Sequence, residues 1–202
     1  MDQGTINRGL DHLASRDRDV AAGLDVVGYP APRVREQGFP GLLEIIAAQQ
    51  ISAGAAAAIR ARLAALAEPM PPDLFLDMDD ETLRATGLSR PKIAYARGIA
   101  RAALDGRLDP GRIAALPDDA VVAALVDLKG VGRWTAEVYM LFALGRRDIF
   151  PADDLALQEG LKRLKRLDGR PDGRTARELV SHWAPWRGVG ALFLWHYYKG
   201  AP

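Results

Sequence analysis

The sequence predicts an all-α protein, because two of its features favour helices over strands. Of the 202 residues, 49% are hydrophobic, and long runs of β-branched residues are scarce. Apolar residues recur at the three- and four-residue spacing of a helix face between Pro and Gly breaks, which predicts about ten helices. Because so many short helices cannot share one layer, we expect two packed lobes with a groove between them.

The composition excludes several kinds of site. The sequence contains no cysteine, which rules out disulfides, thiolate catalysis and a thiolate-held iron–sulfur cluster. The formal net charge is +1, so any affinity for nucleic acid has to come from a local basic patch. No segment resembles a signal peptide, and no apolar run reaches the roughly 18 residues that a membrane span needs. We therefore expect a cytoplasmic protein.

The N-terminal quarter predicts two helices separated by a connector. Apolar spacing places the first over residues 5–27, and its mixed run of charges at 16–19 is interpreted as a solvated face. Pro40 lies near the first turn of the second helix, which runs to Gln49 and Gln50. These two glutamines are either a polar helix end or side chains offered to a ligand.

Capping residues delimit the helices in the middle of the chain. Ser52 is the expected N-cap of an Ala-rich helix over 53–67. A longer helix is predicted over 91–105, and another begins after Pro117. Three cations of helix 91–105 are expected to point outward, namely Lys92, Arg97 and Arg101.

A Gly-Val-Gly turn between two predicted helices is the first candidate site. Its glycines permit positive φ angles and expose backbone N–H groups at the N-terminus of the following helix, where a phosphate fits. The flanking Lys129 and Arg133 would add positive charge, and Val131 would anchor the turn by packing inward. The alternative is a helix–helix turn whose glycines serve only as caps. The turn consists of Lys129, Gly130, Val131, Gly132 and Arg133.

A pair of carboxylates forms the second candidate site. The predicted helix 133–144 is apolar on nearly every face, so it should be buried. After it, Asp153 and Asp154 stand where the next helix begins. One aspartate is enough to cap a helix, so the other would be free to face a groove.

Leu128 to Gln158 resembles the helix-hairpin-helix and Gly/Pro-Asp signature of the HhH-GPD superfamily of base-excision DNA glycosylases. It is most similar to the bacterial 3-methyladenine DNA glycosylase II branch. Together with the other matches, the resemblance covers residues 38–200. Those matches are Gln49-Gln50-Ile51-Ser52, Gly87-Leu88-Ser89-Arg90-Pro91-Lys92, Trp183-Ala184-Pro185-Trp186-Arg187 and Leu194-Trp195.

The resemblance implies a single glycosylase unit over 1–202, with a DNA-binding cleft between its two helical lobes. Lobe one would cover 38–146, including the hairpin at 128–132, and lobe two 1–37 plus 147–202. The best-known bacterial member of the branch also has an N-terminal sheet domain, for which this chain has no room.

The resemblance also implies an activity in base-excision repair. The expected reaction is hydrolysis of the N-glycosidic bond of alkylated purines, such as 3-methyladenine or 7-methylguanine, flipped out of duplex DNA. Asp154 would be the catalytic carboxylate and Asp153 the helix cap or an orienting neighbour. Trp134 stands where lyase-competent relatives carry a nucleophilic lysine, so we expect a monofunctional enzyme without lyase activity. No cofactor is expected to be required.

Further binding residues follow from the same resemblance. They include a pocket for the flipped base, in which core packing is the alternative role of each tryptophan. Gln50 occupies the position at which the bacterial relative inserts a leucine wedge into the DNA stack, and Gln49 is expected to contact DNA beside it. The expected base pocket consists of Trp134 and Trp195, with Tyr139 and Trp183 behind them. A Na or K ion would bind the backbone carbonyls of Val126, Leu128 and Val131.

Two other functions stay open at the level of the sequence. Leu155 and Val138 replace aromatic residues of the bacterial relative, so deaminated or oxidised bases are possible substrates. The second alternative is a non-catalytic helix-hairpin-helix module that binds DNA but has lost the reaction. In every case the expected partner is double-stranded DNA, which would be damaged DNA if the chain is an enzyme. We expect the chain to act as a monomer and not to bind membranes.

Overall fold

The computed structural model describes residues 1–201, and helices are the only regular secondary structure in that part of the chain. The all-α prediction is therefore confirmed. None of these helices combines the length and apolar character that a membrane span requires. In chain order they are α1 (Gln3–Ala14), α2 (Arg18–Val27), α3 (Phe39–Ala48), α4 (Ala53–Ala64), α5 (Pro72–Asp77), α6 (Asp80–Ala85), α7 (Arg90–Leu104), α8 (Pro110–Ala115), α9 (Asp118–Val126), α10 (Arg133–Phe142), α11 (Leu155–Lys165), α12 (Gly173–Leu179), a 3-10 helix (Ser181–Trp183) and α13 (Arg187–Gly200).

The chain divides into two compact units. The terminal unit contains residues 1–34 and the chain from Met140 onward, and the central unit is Arg35–Tyr139. The divisions thus fall at 34/35 and 139/140, whereas the lobes were expected to meet at 37/38 and 146/147. The hairpin lies in the central unit, and Asp153 and Asp154 lie in the terminal unit.

The core of the terminal unit is built around α13. This helix is buried continuously from Gly188 to Trp195, and it packs against α1, α2 and α11. On α11 the buried leucines Leu157, Leu161 and Leu164 recur at helical spacing. The residues that begin α11 are therefore attached to the most buried helix of the unit.

The prediction of a single helix over 5–27 is wrong, because the helix is interrupted between α1 and α2. Asp17 stands at the break as the N-cap of α2, and its Oδ1 accepts a hydrogen bond of 3.1 Å from the amide of Asp19. The side chain is buried rather than part of a solvated face, with Lys165, His182 and Trp183 on its carboxylate. Those three partners come from the far end of the sequence, so the local pattern does not show that Asp17 is buried.

In the central unit α3 packs against α4 and α7, and Phe39 meets the edge of Phe75 at 5.4 Å between ring centroids. The capping role of Ser52 is confirmed, since its Oγ accepts from the amide of Ala55 at 3.2 Å. Helix α4 ends at Ala64, and it buries only Ile59 and Leu63 while most of its alanines face solvent.

Candidate functional site

The hairpin between α9 and α10 has the tight geometry that its glycines predict. Gly130 adopts φ +91°, and a Cβ there would lie 2.4 Å from Cγ of Tyr95, so only glycine fits. Val131 is buried, and its amide donates to the carbonyl of Leu128 at 3.0 Å. The turn is therefore anchored from inside, as expected.

The outer side of the same hairpin is open. Apart from its two chain neighbours, no residue has an atom within 4 Å of a Cβ added to Gly132, and Lys129 is exposed. Arg133, in the first turn of α10, is 59% exposed at its side chain while its Nε holds Glu137 at 2.9 Å. The backbone at Gly132 is therefore open on this side, at the positive end of the α10 dipole, where an anion is favoured.

Gln49 braces the hairpin from the end of α3. Its Nε2 donates to the carbonyl of Gly130 at 3.1 Å and to Oγ1 of Thr135 at 2.9 Å. Its amide nitrogen is therefore engaged by the protein, and contact of Gln49 with DNA stays a prediction. Gln50 is exposed and has a left-handed φ of +56°.

Lys92 holds the loop that carries these glutamines. Instead of pointing outward, it lies half-buried, and its Nζ donates to the carbonyls of Ala47 and Gln49, each at 2.8 Å. Burial lowers the pKa of this ammonium group. Arg97 was also expected to point outward, but it binds the carbonyls of Leu76 and Met78. Apolar periodicity cannot distinguish a solvated lysine from one that binds carbonyls, because both lie off the apolar stripe.

In the terminal unit the cap of α11 is Asp154, whereas Asp153 was the expected cap. Asp154 is the N-cap of α11, and its Oδ1 accepts from the amides of Ala156 and Leu157 at 2.9 and 3.0 Å. Asp153 is exposed and pairs with Arg177 at 3.0 Å, so it does not cap the helix.

Trp195 fixes the orientation of the Asp154 carboxylate. Its Nε1 donates to Oδ1 of Asp154 at 3.1 Å, and its ring lies against Phe142 with centroids 5.5 Å apart. Only 8% of Trp195 is exposed. With three donors on one oxygen, the carboxylate has little freedom to rotate.

The other aromatic pocket candidates divide between core and surface. Tyr139 is fully buried, its hydroxyl accepts from the amide of Gly38 at 2.7 Å, and burial raises its pKa. Trp183 is also fully buried and donates to Asp17 at 2.8 Å. Both side chains therefore belong to the core in this conformation, and their expected place behind the base pocket stays a prediction. Trp134, in the first turn of α10, is partly exposed.

Two residues next to Asp154 were not expected to belong to the site, although Leu155 was noted in the sequence as the replacement of an aromatic residue. Leu155 follows it directly and is 61% exposed, which leaves an apolar side chain in solvent beside the carboxylate. Gln158 is buried one turn later, and its Nε2 donates to the carbonyl of Ala152 at 2.9 Å. Gln158 therefore ties α11 to the backbone that leads into Asp153 and Asp154.

The hairpin also supplies carbonyl groups suited to a hard cation. Val126 ends α9, so its carbonyl lies at the negative end of the helix dipole. The carbonyl of Leu128 receives one hydrogen bond, from Val131, which leaves a second lone pair for another partner. Among residues 1–201 no group of three or more His, Cys, Asp or Glu side chains could hold a metal ion.

Comparison with known proteins places these features in a family. Residues 43–185 match the model of the HhH-GPD superfamily of base excision DNA repair proteins. The chain is 32% identical over 199 residues to DNA-3-methyladenine glycosylase 1 of Schizosaccharomyces pombe. The aligned region covers 95% of this chain and 87% of that protein.

Two solved structures are similar along most of the chain. The S. pombe 3-methyladenine DNA glycosylase in complex with abasic DNA superposes with a TM-score of 0.90 at 31% identity, covering 96% of this chain and 98% of that one. A DNA-3-methyladenine glycosidase from Bacillus halodurans gives a TM-score of 0.76 at 32% identity, over 92% and 86% of the two chains. On the match over 43–185 and these likenesses, the chain belongs to the HhH-GPD superfamily of base excision DNA repair proteins.

Proposed function

We propose that this chain is a monofunctional DNA glycosylase that hydrolyses the N-glycosidic bond of alkylated purines in duplex DNA. The observation that carries the proposal is the oriented carboxylate of Asp154 at the N-terminus of α11, with Trp195 on its Oδ1. Substrates of the 3-methyladenine and 7-methylguanine type are favoured because the similar proteins described above are named for 3-methyladenine.

The chemistry suits a fixed, ionised carboxylate. Breaking the bond between C1′ and the base nitrogen builds positive charge on the deoxyribose, which the carboxylate stabilises. Asp154 also orients the water whose oxygen forms the new bond to C1′, and the proton that this water loses passes to the carboxylate and then to solvent. An alkylated purine carries positive charge before the bond breaks, so it leaves as a neutral base. Because residue 134 is Trp rather than Lys, no imine with the sugar forms there and the strand stays intact.

The binding residues have separate tasks in this proposal. The hairpin amides, Lys129 and Arg133 hold backbone phosphates, and Gln50 fills the gap left by the flipped nucleotide. The partly exposed ring of Trp134 contacts the cationic base, an interaction worth on the order of 0.5–2 kcal/mol. One hairpin and one carboxylate are sufficient for the reaction, so the chain acts as a monomer.

The decisive variant is Asp154→Asn. Asn caps helices about as well as Asp, so the variant should fold normally. Without the negative charge, release of 3-methyladenine and 7-methylguanine from DNA treated with dimethyl sulfate should fall by roughly 100-fold or more. Asp153→Asn is the matched control, since it removes only an exposed ion pair and should keep the native rate. Native release by Asp154→Asn would refute the assignment.

The two alternative functions predict different products. A non-catalytic module releases no free base, so any release by the native chain excludes it. A glycosylase for other lesions releases hypoxanthine or oxidised bases from deaminated or oxidised DNA faster than methylated purines from alkylated DNA.

Borohydride added during the reaction should trap no covalent complex, because a monofunctional enzyme forms no imine.

We further propose that the carbonyls of Val126, Leu128 and Val131 bind a monovalent cation, which would hold the hairpin against a DNA phosphate. Backbone carbonyls suit Na or K ions, and that of Val126 also lies at the negative end of the α9 dipole. DNA affinity should then be weaker in tetramethylammonium chloride than in potassium chloride of the same concentration. Equal affinity in the two salts would contradict the proposal.

A further inference from the structure

The loop between α3 and α4 presents two exposed residues on a strained backbone. Gln50 has φ +56°, and within residues 1–201 only Arg166 shares a positive φ among non-glycine residues. Both Gln50 and the following Ile51 are exposed, Ile51 by 38%. A left-handed glutamine persists only where its surroundings enforce the conformation. The neighbours of the loop therefore have to supply that constraint.

Lys92 supplies part of it from α7. Helix α3 ends at Ala48, so the carbonyls of its last turn lack partners inside the helix. The Lys92 ammonium group binds two carbonyls on either side of that end, at Ala47 and Gln49, each at 2.8 Å. A cation at a helix C-terminus is also favoured by the dipole. Lys92 thus fixes the last residue before Gln50.

The remaining ends of the loop are fixed by other contacts. The Gln49 side chain binds Gly130 and Thr135, which joins the loop to the hairpin. On the far side, Ser52 caps α4 through the amide of Ala55. Gln50 and Ile51 are the two residues between these attachments.

We propose that Lys92 is a positioning residue, which holds the Gln50–Ile51 tip in the shape that enters the DNA duplex beside the flipped nucleotide. This inference rests on the proposed function. A mobile tip would have to be ordered at every encounter with DNA, at a cost in binding free energy and in alignment. The ammonium group of Lys92 faces protein carbonyls, so it acts through Gln50 and not as a phosphate contact.

The first experiment tests the clamp in the protein without DNA. Lys92→Met keeps the aliphatic stem and removes the ammonium group, so amide hydrogen exchange should become faster in peptides that cover residues 47–53. Lys199→Met removes an equally charged, exposed lysine and should leave exchange in that segment unchanged. Unchanged exchange in Lys92→Met would overturn the proposal, regardless of how the variant binds DNA or excises bases.

The second experiment is a double-mutant cycle on excision under single-turnover conditions. Lys92→Met should lower the rate by roughly tenfold, while Lys199→Met should not. In a Gln50→Ala background the same change should cost less than about twofold, because the side chain that Lys92 positions is gone. Lys92→Arg, which can still donate to both carbonyls, should recover most of the rate. Equal losses in both backgrounds would overturn the positioning role.

A third readout separates this proposal from the proposed function. A duplex with a tetrahydrofuran abasic analogue beside 2-aminopurine reports insertion of the tip by a change in fluorescence. The native chain should change the fluorescence more than Lys92→Met at saturating protein. If the native chain releases no methylated base, the proposed function fails, while exchange and fluorescence still decide the role of Lys92. Equal fluorescence changes for the two proteins would count against insertion being controlled by Lys92.

Discussion

Asp154 shows how one residue can combine a structural and a chemical role. Its Oδ1 receives two amides of α11 and the indole of Trp195, all within 3.1 Å. A capping carboxylate is usually replaceable by Ser or Asn at small cost. In the proposed reaction the charge matters as well, because the neutral caps cannot stabilise a cationic sugar. Trp195, expected in the base pocket, is therefore of most interest as the donor that orients this charge.

Trp195→Phe tests that orientation. The phenyl ring can still pack against Phe142, but the N–H donor to Asp154 is lost. A hydrogen bond to a charged group contributes about 1.5–3 kcal/mol, so the single-turnover excision rate should fall by about tenfold or more. Tyr198→Phe, on the same helix, serves as the control. A native rate in Trp195→Phe would mean that the two backbone amides orient Asp154 unaided.

At the scale of an element, the two glycines of the hairpin differ in their surroundings: Gly130 is crowded by Tyr95, and Gly132 is open. Gly130→Ala forces a Cβ into Tyr95 at a positive φ, so it should lower the free energy of unfolding by roughly 1–3 kcal/mol. Gly132→Ala meets no neighbour and should leave the unfolding free energy nearly unchanged. Its methyl group should nevertheless weaken DNA binding, because it stands where a phosphate would approach. Urea unfolding and fluorescence anisotropy measure the two effects. Native affinity in Gly132→Ala would argue against backbone contact at this turn.

The break between α1 and α2 is a second element whose role depends on charge. Burial would raise the pKa of Asp17, but hydrogen bonds from Lys165, Trp183 and His182 outweigh burial and hold the pKa well below its ordinary value of 3.8. A lowered pKa in the folded state means that ionised Asp17 stabilises the fold above about pH 4, and that this stabilisation is lost as the pH falls further.

Asp17→Asn should therefore unfold more easily than the native chain at pH 7, by roughly 3 kcal/mol. The difference between the two proteins should shrink as the pH is lowered from about 4 towards 2, because Asp17 takes up a proton in the unfolded native chain over this range while its lowered pKa keeps it ionised in the folded protein. Urea unfolding across this pH range provides the measurement, and exposed Asp25→Asn in α2 is the control. A difference that stays constant with pH would show that the charge of Asp17 does not stabilise the fold.

For the whole molecule, the balance of 27 basic and 26 acidic residues means that DNA affinity depends on a few local contacts. The logarithm of the binding constant should decrease with the logarithm of salt concentration, with a slope set by the number of phosphate contacts. Lys129→Ala should reduce the magnitude of that slope by about 1 and weaken binding to all sequences alike. Lys199→Ala should leave it unchanged. An unaltered slope in Lys129→Ala would remove Lys129 from the phosphate contacts.

Features that depend on neighbours in the chain were predictable from the sequence. The all-α class follows from apolar periodicity, and the Ser52 cap from a hydrogen bond that spans three residues. The tight turn at Gly130 follows from the freedom of glycine at positive φ. The family resemblance rests on the same kind of short, contiguous pattern, and the match over residues 43–185 confirms it.

Contacts between distant residues were decided only by the tertiary structure. Sequence showed that one of two aspartates would cap α11, but the choice of Asp154 over Asp153 came with Trp195 and Arg177 from elsewhere in the chain. Lys92 and Asp17 look like solvated charges in the sequence, yet each is held by polar partners more than 40 residues away. Hydrophobic periodicity records which face of a helix is apolar. It does not record which polar groups packing brings to the other faces, such as the Trp195 indole that reaches Asp154 and the two carbonyls that reach Lys92.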